Sequence, residues 1–142
     1  MPQPAKRASE TESAVARTIA RLAEQKQLDF ELEFYSSILK RHGDFIDVLR
    51  AYANSLTQKG RHADGLAIDQ HLVVLKPNDQ LAHYNLACSY ALLQRPDLAL
   101  RTLRKAIELG YHDFRFIRDD KDLESIRHDP RFKQLLREFE IK

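Results

Sequence analysis

A chain of 142 residues, 43% hydrophobic and 31% charged, has room for one domain with a buried core but not for two comfortable ones. Its net charge of +2, with both signs interspersed, excludes the single-sign field that draws nucleic acid or an anionic membrane, and its lone cysteine excludes an intramolecular disulfide framework. Helix formers dominate, the 4 glycines and 5 prolines are sparse, and clusters of β-branched residues are missing, so an all-α fold is expected.

The opening stretch MPQPAKRASETES is polar and lacks an apolar run, which predicts a loose tail over residues 1–9 rather than a secretory signal. A reducing, cytoplasmic location is expected. Ser9 and Glu12 have capping-box spacing ahead of the Val15, Ile19, Leu22 stripe, predicting a helix near 10–26, with a second near 29–41. Four further helices are expected near 44–59, 62–75, 79–93 and 96–109. Gly43, Gly60 and Gly110 stand where a left-handed residue ends a helix, and Pro96 and Pro130 where one begins. Shorter pieces follow near 113–118, 121–127 and 130–140, the last started by Asp129 ahead of Phe132, Leu135, Leu136 and Phe139. No apolar run approaches bilayer-spanning length.

Residues 46–79 and 80–113 copy one another. Leu49 matches His83, Ala53 matches Ala87, Leu56 matches Tyr90, Leu66 matches Leu100 and Leu75 matches Leu109, a constant offset of about 34 residues and the period of one helix-turn-helix repeat. With Leu86, Ala87, Tyr90, Ala99, Leu103 and Ala106 in its slots, and Tyr111 in place of the closing proline, the second unit resembles the tetratricopeptide repeat family. In the unit before it Tyr52, Ala53, Leu56, Gly65 and Pro77 fit, whereas Asp69 stands where a bulky apolar residue is usual and Leu72 where a small one is. One period upstream, Val15, Leu22, Tyr35 and Ile38 fall in core slots, with Glu31 in a small-residue slot and Gly43 in the proline slot. The resemblance covers residues 12–113. It implies a right-handed α-solenoid of antiparallel helix pairs over 10–113, capped by helices in 114–142 of the same domain, the cap being needed for folding.

The stretch His83-Tyr84-Asn85-Leu86-Ala87-Cys88-Ser89-Tyr90 mixes imidazole, phenol, amide and thiol, but Leu86, Ala87 and Tyr90 are packing positions and Cys88 has no CxxC partner. The 6 histidines, at 42, 62, 71, 83, 112 and 128, show no i, i+4 pairing, and no GxSxG, P-loop, GxGxxG or HExxH occurs. No catalytic residue, metal or cofactor is therefore expected. Arg101, Arg104 and Lys105 read as a solvated helix face rather than a nucleic-acid site, and the Arg118 to Glu124 stretch as a solvated connection.

In the family the first helix of each unit lines a concave groove, which implies a lining of Asp47, Arg50, Asn54 and Gln58 from one unit and Tyr84, Asn85 and Cys88 from the next. Some members clamp a carboxylate there. Arg50, Asn54 and Asn85 occupy the corresponding positions and Arg115 the start of a third-unit cation site, but Asp119 replaces the second cation, so a general groove is favoured over a clamp. The resemblance implies a non-catalytic scaffold or adaptor holding a peptide or helix of another protein, with no nucleic acid and no membrane partner. The alternative is a homodimer in which an incomplete array covers its exposed apolar end with a second copy. An unrecognised enzyme ranks last.

Overall fold

The computed structural model describes residues 4–140, with side chains from Ser9 onward. The chain folds into α1 (Pro4–Arg41), α2 (Ile46–Gln58), α3 (His62–Leu75), α4 (Gln80–Leu92), α5 (Pro96–Glu108), α6 (Phe114–Asp119), a 3-10 helix (Lys121–Ile126) and α7 (Pro130–Glu140). No strand occurs among the described residues. The fold is all-helical, and α1 to α5 pack in chain order, each helix against the next.

The N-terminal region departs from expectation. Residues 10–26 and 29–41 are not two helices but parts of one 38-residue helix that already includes residues 4–9 of the expected tail, residues 1–3 lying outside the described ones. The reason is local: Lys26-Gln27-Leu28-Asp29 holds no glycine or proline, and Leu28, inside the supposed break, is buried one turn before Leu32, each being 8% exposed. Ser9 lies within the helix, so its capping-box spacing marks no start.

From α2 onward the 34-residue period is written in the backbone itself. Arg61 N–H donates to Leu56 C=O at 2.8 Å, and 34 residues later Arg95 N–H donates to Tyr90 C=O at 2.9 Å. Gly60 adopts φ +86° and its counterpart Gln94 φ +59°, the same left-handed turn made once with and once without glycine. Gly110 is left-handed as expected, whereas Gly43 is not. Asp79 caps α4 by accepting from Leu81 N–H and Ala82 N–H, and Asp113, again 34 residues on, caps α6 by accepting from Phe116 N–H.

Two apolar clusters hold these elements. Leu49, Leu72 and Ala82 join α2, α3 and α4, with Leu39 of α1 packed against them. A larger cluster unites Ala87, Ala91, Leu103 and Ile107 of α4 and α5 with Ile117, Leu123, Ile126, Phe132, Leu135 and Leu136 of the C-terminal region. Residues 114–140 are thus part of the same core as α4 and α5. Asp129 starts α7 as expected, accepting from Arg131 N–H at 2.9 Å.

Candidate functional site

A polar cleft of about 70 Å³ lies where α2, α3, α4 and the 3-10 helix meet, and Arg50, Asn54, Thr57, Asp69, Asn85, Ser89 and Asp122 supply its polar lining. The positions follow from helical spacing. Arg50 and Asn54 on α2, like Asn85 and Ser89 on α4, are four residues apart and so share a face. Asp69 of α3 takes the slot that Leu103 fills in the next unit, placing a carboxylate where a branched hydrocarbon would have packed.

Asp69 is 3% exposed. Its Oδ2 accepts from Ser89 Oγ at 2.6 Å, while Oδ1 has no partner. Burial pushes its pKa up to about 6, against the opposing pull of the Ser89 bond and the Arg50 charge. Arg50 is divided in the same way: Nη2 donates to Asp79, while the buried Nη1 finds no partner. Burial works against ionisation of Asp79, but bonds from Ala82 N–H, Arg50 and Leu81 N–H outweigh it and hold its carboxyl below the usual range. Two buried atoms of the lining, the donor Arg50 Nη1 and the acceptor Asp69 Oδ1, are therefore left without a partner.

The expected groove is only partly assembled. Arg50, Asn54, Asn85 and Cys88 line the cleft, whereas Asp47 and Gln58 are exposed and do not. Tyr84 is corrected outright: it is 2% exposed, stacked on Tyr111 with ring centroids 4.1 Å apart, and its hydroxyl donates to Asp120 Oδ2 at 2.6 Å. The cause is the segment after α5: Tyr111, Phe116 of α6 and Asp120 close over what was expected to be open concave surface. Cys88, 7% exposed, is enclosed with it. Neither Arg115 nor Asp119 lines the cleft, so of the residues a carboxylate clamp would use the cleft brings together only Arg50, Asn54 and Asn85.

Asp120 ties the cap to α4. Besides accepting from Tyr84 it accepts from Asp122 N–H at 3.0 Å, and its backbone carbonyl accepts from Arg127. Burial raises the Tyr84 hydroxyl well above the phenol range and pushes Tyr111 up to about 12. Replacing Tyr84 by Phe leaves the stack and removes one charge-assisted bond. We expect a loss of about 1.5–3 kcal/mol in urea unfolding. An unchanged midpoint would show that the bond contributes nothing net.

Cys88, Asp120 and Asp122 offer three atoms within 4.8 Å of one another that a metal ion could use. Their present chemistry is different. Asp120 is occupied by Tyr84, and burial together with the nearby carboxylates raises the Cys88 thiol well above its ordinary pKa, keeping it protonated and unreactive. The basic spot on α5 is partly consumed by the cap: Arg104 donates to Glu138 at 2.7 Å and lies over the Phe139 ring. His83 Nε2 sits 2.8 Å from the Pro77 carbonyl oxygen, a fold contact rather than a reactive arrangement. Of the cleft's key groups, Asp69 carries a sequence signal as the acidic residue in an apolar slot. Asp122 carries none, since it arrives from a segment that follows no repeat.

The fold and cleft define a class, an all-helical protein whose helices pack in chain order and are closed by an irregular helical cap. No protein-family model and no solved structure matches the chain. Among curated proteins it is similar to a chloroplastic protein of Arabidopsis thaliana, 33% identical over 87 residues. That match takes in 59% of this chain and 26% of the relative, so the chain spans about a quarter of the length of the protein it resembles.

Proposed function

We propose that the chain is a non-catalytic adaptor, a right-handed solenoid of the tetratricopeptide kind that accepts a segment of another protein across α2 and α4. One observation carries this reading: Arg50 Nη1 and Asp69 Oδ1 lie buried and unpartnered in the lining of one cleft. A buried polar atom without a bond costs about 1–3 kcal/mol. A single amide, whether of a peptide unit or of an Asn or Gln side chain, brings both the N–H that Asp69 lacks and the C=O that Arg50 lacks. Asn54 and Asn85 at the rim extend such contacts along a main chain.

The same electrostatics argues against an acidic tail. Asp69 and Asp122 share the lining, and the cation beside them is already paired, so an incoming carboxylate meets more negative than positive charge. No helix among the described residues is long and apolar enough to cross a membrane, and the partly engaged basic spot on α5 gives a phosphate backbone little to hold.

The reading is tested on an immobilised array of unbiased peptides probed with the intact chain. Peptides with an internal Asn or Gln should be retained, and the double variant Asn54→Ala/Asn85→Ala should weaken them by at least about tenfold, the loss of one or two good bonds. Equal retention by the variant, or preference for acidic C-termini, would overturn it.

A further inference from the structure

Helix α1 has two apolar faces, and the fold uses one. With 3.6 residues per turn, each step along the helix rotates a side chain by about 100°. Leu28 and Leu32, each 8% exposed, mark the side that packs against α2. Val15, Ile19, Leu22, Phe30 and Phe34 fall within a wedge of about 120° whose centre lies about 160° from that side. Their exposures are 52%, 62%, 58%, 64% and 52%. The α2 contacts fade near Gln25, where Lys59 reaches back to bond it at 2.8 Å, and every side chain from Ser9 to Gln27 is exposed. A helical segment of that length without packing is marginal in water, because most helical stability comes from burying an amphipathic face. The stripe needs an occupant.

The stripe is complementary to itself when reversed. Setting two copies antiparallel about a dyad between residues 24 and 25 places Val15 opposite Phe34 and Ile19 opposite Phe30, so both of these aliphatic side chains meet an aromatic one from the other copy. Two charges, Lys26 and Glu33, lie inside the stripe, and each then faces a small residue, Ala23 and Ala16 respectively, beside which its stem can lie while its charged end reaches water. Glu12, on the stripe's own side near one end, comes beside Lys40 and Arg41 near the other. A parallel pairing would instead stack Glu12 on Glu12, Lys26 on Lys26 and Lys40 on Lys40. Opposite charges at the ends and large-to-small matching along the seam both select the antiparallel arrangement.

We infer that α1 is a dimerisation helix, its Val15, Ile19, Leu22, Phe30, Phe34 face pairing antiparallel with the same face of a second copy. The peptide cleft lies on other elements, so this inference stands or falls independently of the adaptor reading.

Sedimentation equilibrium of the full chain tests it. The wild type should show a monomer–dimer equilibrium, and Ile19→Lys/Phe30→Lys should raise the dimer dissociation constant by at least about a hundredfold, as removal of central anchors does. Both positions are exposed, so the variant's circular dichroism should show the α2–α7 core intact. Glu12→Lys should weaken the dimer, and adding Lys40→Glu/Arg41→Glu should restore it. A monomer at every concentration would overturn the proposal, as would a dimer indifferent to the Lys substitutions. A dimer weakened by those substitutions but unaffected by the charge exchange would overturn the antiparallel register.

Discussion

A chain ending after Asp113 should show no cooperative thermal transition, although it retains every residue of the repeat-like region. The residues removed include Ile117, Leu123, Ile126, Phe132, Leu135 and Leu136, none more than 4% exposed and all in one cluster with α4 and α5. Burying a side chain of this kind contributes about 1.5–3 kcal/mol. Six of them match the whole stability of an ordinary domain, about 5–15 kcal/mol. The truncation also uncovers Tyr84 and deletes its acceptor Asp120. A milder version separates loss of packing from loss of chain: Leu123→Ala, at a position 0% exposed, should lower stability by about 2–5 kcal/mol while leaving the transition cooperative. Circular dichroism melts of both variants decide the matter, and a truncated chain melting like the full one would show that α1 to α5 stand alone.

Asp69→Asn should make the protein more stable at pH 8 and less so, or equal, at pH 4. Burial raises the folded-state pKa of Asp69 to about 6 from an ordinary 3.8, so the folded protein holds this proton more tightly than the unfolded chain. The contribution is fully present below pH 3.8 and is lost as the pH rises through 6. A shift of that size corresponds to about 3 kcal/mol forfeited at neutral pH. Asn keeps an acceptor for Ser89 and does not titrate. Urea unfolding of wild type and variant between pH 4 and 8 isolates the group, since every other carboxylate is common to both. The difference should open between about pH 4 and 7 and then level off. A difference independent of pH would mean that Asp69 does not change its proton on unfolding.

The helices from α2 to α5 are legible because their ends carry local chemistry: a left-handed Gly60 or Gly110, a proline at the start of α5, and beyond them an aspartate at the start of α7. The repeat offset is legible because the same packing slots recur. What sequence does not disclose are contacts made across the period. Tyr84 reads as a groove residue because it sits on the first helix of a unit, and nothing near it announces Asp120, 36 residues away, which covers it. The unbroken α1 escapes for a different reason: repeat logic puts a break at Lys26-Gln27-Leu28, where a unit would turn, although no residue there disfavours helix. The cleft lies between these extremes. Arg50, Asn54 and Asn85 follow from their slots, and the odd placement of Asp69 is visible, but its unsatisfied oxygen is a fact of tertiary packing alone.

The chain-order packing of α1 to α5 has a consequence for motion. Helices that pack mainly on their neighbours let the molecule breathe from one end without releasing the other. The extensive cluster around α4, α5 and the cap will open last and the smaller one around α2 and α3 earlier. Arg50 is therefore mounted on the looser portion and Ser89 on the firmer one, so the two walls of the cleft differ in how readily they move.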